Sequence, residues 1–256
     1  MKKRLSNYMP LLYLGIFLYS GYLLVQYLYT YVEAASSLQE TQMIYEKALE
    51  ETSETVVESK AEKKPSYDTI RPQFHKLHAV NEQIVGWISV EGTKVNNPIL
   101  QSEDNDFYLN RNFNKEKSRA GSVFMDFRND ITDMNQNTVI YGHAMKNDTM
   151  FGSLKKFGQQ EYADEHSTIY VDTLYEGYDI EVFAAYETTI DFYYIETDFQ
   201  TKEEYAHYLQ EVQSRSLINT PVTVGTEDRI VTLSTCNNSV NSKDKRYVVQ
   251  GKLVKR

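Results

Sequence analysis

The chain has 256 residues, 41% of them hydrophobic, with 21 tyrosines, one cysteine and a net charge of −9. That balance supports a packed core and argues against a nucleic-acid partner, which would want a basic face. A single cysteine excludes an internal disulfide and leaves two readings for its thiol, a small buried hydrophobe or a reactive group.

Lys2-Lys3-Arg4 opens the chain, and Leu11 to Val32 follow without a charge, with only Gln26 strongly polar. A bilayer core needs about 20 apolar residues, whereas the apolar part of a signal peptide runs to about 7–15. Residues 11–32 therefore read as a transmembrane helix. Basic residues stay inside, which makes 1–10 the cytoplasmic N-terminus and puts the rest outside. Tyr27, Tyr29 and Tyr31 suit the outer interface. Ala34-Ala35-Ser36 keeps a cleaved signal as the alternative. Residues 33–66 are acid-rich and end in Lys63-Lys64-Pro65. They read as a partly helical, solvated stalk. Leu38, Tyr45, Leu49, Thr52 and Val56 make only a thin stripe for a coiled coil.

The folded domain is expected over 67–256. Ile70, Phe74 and Leu77 fall at helical spacing, and Pro72 is tolerable in a first turn. Strands are expected at 84–90, 94–101, 121–126, 138–141, 168–171, 177–188, 222–225, 230–233 and 247–254, from β-branched and aromatic runs bounded by turn residues. A short helix or turn is expected at 105–113. Thr149 to Phe157 reads as an amphipathic helix, with Met150, Phe151, Leu154 and Phe157 on one face. The clearest helix opens at Thr201. Thr201-Lys202-Glu203-Glu204 is a capping box, and Tyr205, Tyr208, Leu209 and Val212 then share a face. Many short strands, few helices and one helix inserted before the last strands predict a mainly β fold, a closed or nearly closed barrel with helical additions.

Two places carry chemistry. Thr232-Leu233-Ser234-Thr235-Cys236 ends one strand with a thiol, and after a polar loop Arg246 opens the next. If those strands pair, the guanidinium returns beside the thiol. Of five histidines, His75, His78, His166 and His207 sit in helices or a polar loop and read as structural. His143 ends an apolar strand after Gly142, where a rigid scaffold can hold a reactive side chain. A thiolate needs a base to form and a positive charge to steady the oxyanion it creates. His143 and Arg246 are the residue types for those two tasks. No Cys pair, His-Glu-x-x-His or calcium loop is present, so neither a metal nor another cofactor is expected.

The motifs Thr-Leu-Ser-Thr-Cys with Arg246, Tyr141-Gly142-His143-Ala144-Met145, and Gly121-Ser122-Val123-Phe124-Met125-Asp126 together resemble a class B sortase. Sortases are membrane-anchored cysteine transpeptidases of the Gram-positive cell surface. The resemblance covers roughly residues 67 to 256 and implies a closed barrel of about eight strands. It implies His143, Cys236 and Arg246 as catalytic residues, and Asn105, Leu109, Tyr194, Ile195 and Ser234 as substrate-binding ones. The implied substrate is a secreted protein's C-terminal sorting signal, such as Asn-Pro-x-Thr-Asn or Leu-Pro-x-Thr-Gly. The implied acceptor is an amine of the cell-wall precursor, which anchors the protein to peptidoglycan. A pilin lysine as acceptor, a plain secreted cysteine protease and a non-catalytic adhesin stand as alternatives. Asn237-Asn238, after the cysteine, leave the local binding details open, and no acidic third member completes a triad.

Overall fold

The computed structural model describes residues 9–58, 69–189, 191–236 and 245–256. Eight strands make a closed barrel: β1 (Ile84–Ser89), β2 (Asn96–Leu100), β3 (Val123–Met125), β4 (Asn137–His143), β5 (Thr168–Thr173), β6 (Gly177–Thr188), β7 (Ile230–Cys236) and β8 (Arg246–Lys255). Their order around the barrel is β1-β2-β3-β4-β7-β8-β6-β5. β2 with β3 and β4 with β7 run parallel, and the other neighbours antiparallel. Closure pairs every strand on both sides and removes the exposed edges an open sheet would carry.

Period-two alternation sends one set of side chains inward. Ile88, Ile140, Val171, Ile180, Leu233 and Val249 meet in the barrel interior. The outer face is covered in two places. Near the N-terminus, Phe74, Leu77 and Tyr108 pack on Trp87 and Phe124. On the opposite side, Tyr205, Tyr208, Leu209 and Val212 pack on Phe183, Tyr186 and Val248. Those four come from the inserted helix, Lys202–Arg215, whose first turn is capped by Thr201 accepting the Glu204 N–H at 3.1 Å. A buried polar chain fixes this helix to the sheet. Gln250 Nε2 donates to the Tyr208 hydroxyl at 2.7 Å, and that hydroxyl donates to the Tyr194 carbonyl at 2.7 Å.

The remaining helices are α1 (Met9–Glu58), α2 (His75–Val80) and α3 (Gln160–Glu165), which makes the inserted helix α4. The N-terminal part of α1 is long and apolar enough to cross a membrane. Its continuation differs from the solvated stalk expected at 33–66. Tyr45 is only 4% exposed, its ring stacks on Trp87 at 4.1 Å, and its hydroxyl donates to Asp172 at 3.2 Å. Gln42 Nε2 donates to the Asn96 carbonyl at 2.6 Å, and Ala34 and Leu38 pack against the barrel core. A stripe too thin for a coiled coil is wide enough for a one-sided contact with a barrel. Residues 59–66 of the expected stalk lie outside the described residues.

Two other expectations change. Thr149 to Phe157 is not one helix. Asp148 (φ 65°) and Met150 (φ 51°) are left-handed, and Met150 bridges back to Ala144, so regular helix cannot run through them, and only a short 3-10 helix, Leu154–Gly158, follows. Val222 to Gly225 forms no strand, and Val222 and Val224 pack with the helix α4 cluster instead. Their alternating apolarity serves packing without a ladder.

Candidate active site

β7 lies between β4 and β8, and the register of both pairings decides what meets. His143 is the partner of Cys236 across β4 and β7, and Cys236 is the partner of Arg246 across β7 and β8. Three residues distant in sequence thus occupy one row across three adjacent strands. Neighbouring strands lie about 4.8 Å apart, so the outer two backbones of the row are about 10 Å apart. Residues of one row share a face of the pleat. Val231 and Leu233 face the barrel interior. Ile230, in alternation with Cys236, joins the outer cluster under α4. The row therefore belongs to the outer wall, beside the short 3-10 helix Phe107–Asn110, whose Leu109 carbonyl reaches His143.

A cavity of about 200 Å3 opens over this row. Asn105, Leu109, His143, Ser234 and Arg246, all named from sequence, line it together with Tyr141. The Cys236 side chain and the whole of Asn237 and Asn238 lie outside the described residues, and the register alone places the cysteine backbone. Tyr194 and Ile195 do not line the cavity. Tyr194 is 6% exposed and stands behind Ser234, with its hydroxyl 2.8 Å from Ser234 Oγ. Ile195 contributes its carbonyl to Arg128 Nη2 at 2.8 Å.

One contact sets the chemistry of the imidazole. His143 Nε2 is 2.8 Å from the Leu109 carbonyl. A carbonyl only accepts, so Nε2 carries the proton and donates it. In the neutral ring this leaves the Nδ1 lone pair free to take a proton. Arg246 is half-buried and donates from Nη1 to the Lys245 carbonyl at 3.0 Å.

Beneath the cavity sits a buried carboxylate. Asp126 has no exposed side-chain surface, while Arg128, its ion-pair partner, keeps 28%. Its Oδ2 accepts from Asn105 Nδ2 at 3.0 Å, the Tyr141 hydroxyl at 2.8 Å and Arg128 Nη2 at 2.8 Å. Its Oδ1 accepts from Arg128 Nε at 2.8 Å. Arg128 also donates to the Tyr193 hydroxyl at 2.9 Å and to Ile195. One carboxylate thus ties two lining residues, Asn105 and Tyr141, to the segment before α4. Burial pushes the Asp126 carboxyl up, but the hydrogen bonds from Arg128 and Tyr141 outweigh it and hold it below the usual carboxylate range. Burial, and then the Asp126 charge, raise the Tyr141 hydroxyl far above the usual phenol range.

The sortase-domain family model matches residues 88–254. Over 253 residues the chain is 38% identical to sortase B of Listeria monocytogenes, covering 99% of this chain and 98% of that protein. This chain belongs to the sortase family. It is also 44% identical over 186 residues to sortase B of Staphylococcus aureus, covering 73% of this chain and 76% of that one. The solved Staphylococcus aureus sortase B–substrate complex matches with a TM-score of 0.78 at 37% identity, covering 87% of this chain and 97% of that one. With these relatives it is a class B sortase, a cysteine transpeptidase.

Sequence reasoning passed over two features of this sortase's site. Tyr141 stands two residues before His143 on β4, so period two puts both on one face, and that signal was available. Asp126 had no such mark. A lone acid closing an apolar run reads the same whether it turns to solvent or is buried beneath a cavity.

Proposed function

We propose that this sortase cuts a C-terminal sorting signal through a thioester on Cys236 and passes the acyl group to an amine of the cell-wall precursor. The observation that carries the reading is the single row His143–Cys236–Arg246 beside a cavity. His143 takes the thiol proton at Nδ1, while its Nε2–H stays on the Leu109 carbonyl. The thiolate attacks the scissile carbonyl, the carbon–nitrogen bond breaks, and the proton leaves with the amine. An incoming amine then attacks the thioester, gives its proton to His143 and releases Cys236. Arg246, always charged, holds the substrate carbonyl and the oxyanion of each step. Asn105, Leu109 and Ser234 line the acyl side, and Tyr194 and Ile195 support that wall from behind.

The likeness to a sortase B solved with its substrate supports a sorting signal as the acyl donor. The apolar length of α1 supports a membrane anchor. In this reading 1–10 is cytoplasmic, 11–32 spans, 33–66 connects, and 67–256 is the extracellular catalytic domain.

Mass spectrometry of the full chain with peptides ending in Asn-Pro-x-Thr-Asn or Leu-Pro-x-Thr-Gly tests the reading. The expected result is an acyl adduct on Cys236, released onto triglycine. Release onto a pilin lysine alone would reassign the acceptor. Hydrolysis indifferent to added amine would make the enzyme a protease.

A further inference from the structure

A second cavity, of about 470 Å3, lies away from the cysteine row. Glu33 and Ala34 of α1 form one side, and Arg111, Asn112, Lys117 and Arg119 the other. Among the described residues, none of Arg111, Lys115, Lys117 and Arg119 makes an ion pair. The last three are exposed. Glu33 and Glu116 offset part of their charge, and the patch stays positive on a chain whose net charge is −9. The Arg119 guanidinium lies 5.2 Å from the centre of the Tyr27 ring. Tyr27 is five residues before the end of the 11–32 span, about 8 Å along the helix. Glu33, on the cavity wall, is the first residue past that span, so the cavity opens at the outer end of the apolar length. Arg119 reaches from it towards the lipid side, where a guanidinium finds a forked phosphate acceptor.

We infer that this cleft binds the phosphate of an anionic membrane lipid and seats the barrel against the outer leaflet. The inference rests on the membrane reading of residues 11–32. It reaches the chemistry through the chain itself. Arg111 follows Leu109 by two residues, and the Leu109 carbonyl orients His143. Arg111 is braced over the Phe107 ring at 4.7 Å, on the same short 3-10 helix. A headgroup held here steadies the segment that sets the imidazole.

The test places the full chain in nanodiscs of phosphatidylcholine, or of a phosphatidylcholine–phosphatidylglycerol mixture, and follows amide hydrogen exchange over residues 111–119. Phosphatidylglycerol is expected to slow exchange about tenfold, since each cation near an anionic surface adds attraction. The protection should vanish in about 0.5 M NaCl, where the screening length is a few ångströms. It should also vanish in the Lys117→Glu/Arg119→Glu variant, whose Cys236 alkylation rate in detergent stays at the wild-type value. Equal exchange in the two lipids overturns the inference. Equal protection by inorganic phosphate in detergent overturns it too, assigning the cleft to a soluble anion. Alkaline carbonate extraction is run first, and a chain that it releases would sink the membrane reading and this inference with it.

Discussion

Gly121 sits in left-handed backbone (φ +58°), and a Cβ there would meet the Leu109 carbonyl oxygen at 2.5 Å and the Tyr108 oxygen at 2.7 Å. Gly92 has a similar backbone (φ +72°), but its Cβ would find only His166 Nε2, at 3.4 Å. The two glycines therefore separate backbone strain from contact. Alanine at either position costs about 1–2 kcal/mol for the left-handed conformation. At Gly121 forced crowding adds about 1–3 kcal/mol, since the two oxygens are main chain and cannot swing aside. Urea unfolding should thus place Gly121→Ala about 1–3 kcal/mol below Gly92→Ala. The activity difference should be larger. The displaced oxygen is the one that accepts the His143 Nε2–H, and a misplacement of about 1 Å costs roughly a hundredfold in rate. Peptide cleavage and iodoacetamide labelling of Cys236, both measured where each variant is folded, read this. Gly92→Ala should match wild type, and Gly121→Ala should fall at least about tenfold in cleavage. A folded Gly121→Ala enzyme as active as Gly92→Ala would refute the role given to the Leu109 carbonyl.

Cys236→Ala, His143→Ala and Arg246→Ala should each abolish turnover with unchanged circular dichroism, and near-normal turnover by the Arg246 variant would remove its part in holding the oxyanion. Asp126→Asn should cost about 3 kcal/mol at neutral pH, the low end for a broken buried pair because Arg128 keeps contact with solvent. The folded carboxyl is held below its unfolded pKa of about 3.9, so its contribution is complete above that value and is lost as pH falls through the folded one. The gap between wild type and variant in urea unfolding should accordingly begin to narrow as pH falls below about 4 and close once pH passes the folded pKa, and a gap that does not narrow with acidification would contradict the ion-pair account. Tyr141→Phe removes one bond to the same carboxylate and should raise peptide KM several-fold while leaving iodoacetamide labelling of Cys236 unchanged. Tyr45→Ala should release the α1 continuation from Trp87 at a cost of about 3 kcal/mol, seen as faster proteolysis around residues 34–52 with the barrel still folded.

Much of this molecule was legible in its sequence because the signals were local. β-Branched and aromatic runs bounded by turn residues marked every barrel strand, with one false strand at 222–225, and Thr201-Lys202-Glu203-Glu204 marked the start of α4 within a residue. Strand-end positions singled out His143, Cys236 and Arg246, which the register then set in one row. What escaped was set at long range. The Leu38–Tyr45 stripe does not say whether it meets a second helix or a barrel. The Thr149–Phe157 pattern is helical in period, yet the left-handed Asp148 and Met150 break it. Asp126 acquires its partners from Asn105, Tyr141 and Arg128 only after folding, and no residue spacing announces that meeting.

Because β4 and β7 run parallel, the chain leaves His143 and Cys236 from the same rim of the barrel, and it re-enters at Arg246 from that rim. The segment after the histidine is tied back to that rim, since the Phe151 N–H donates to the His143 carbonyl at 3.0 Å and Phe151, Leu154 and Phe157 are buried in the core. A change in its length should therefore displace the end of β4, and the imidazole with it, whatever residues the inserted or deleted turn carries.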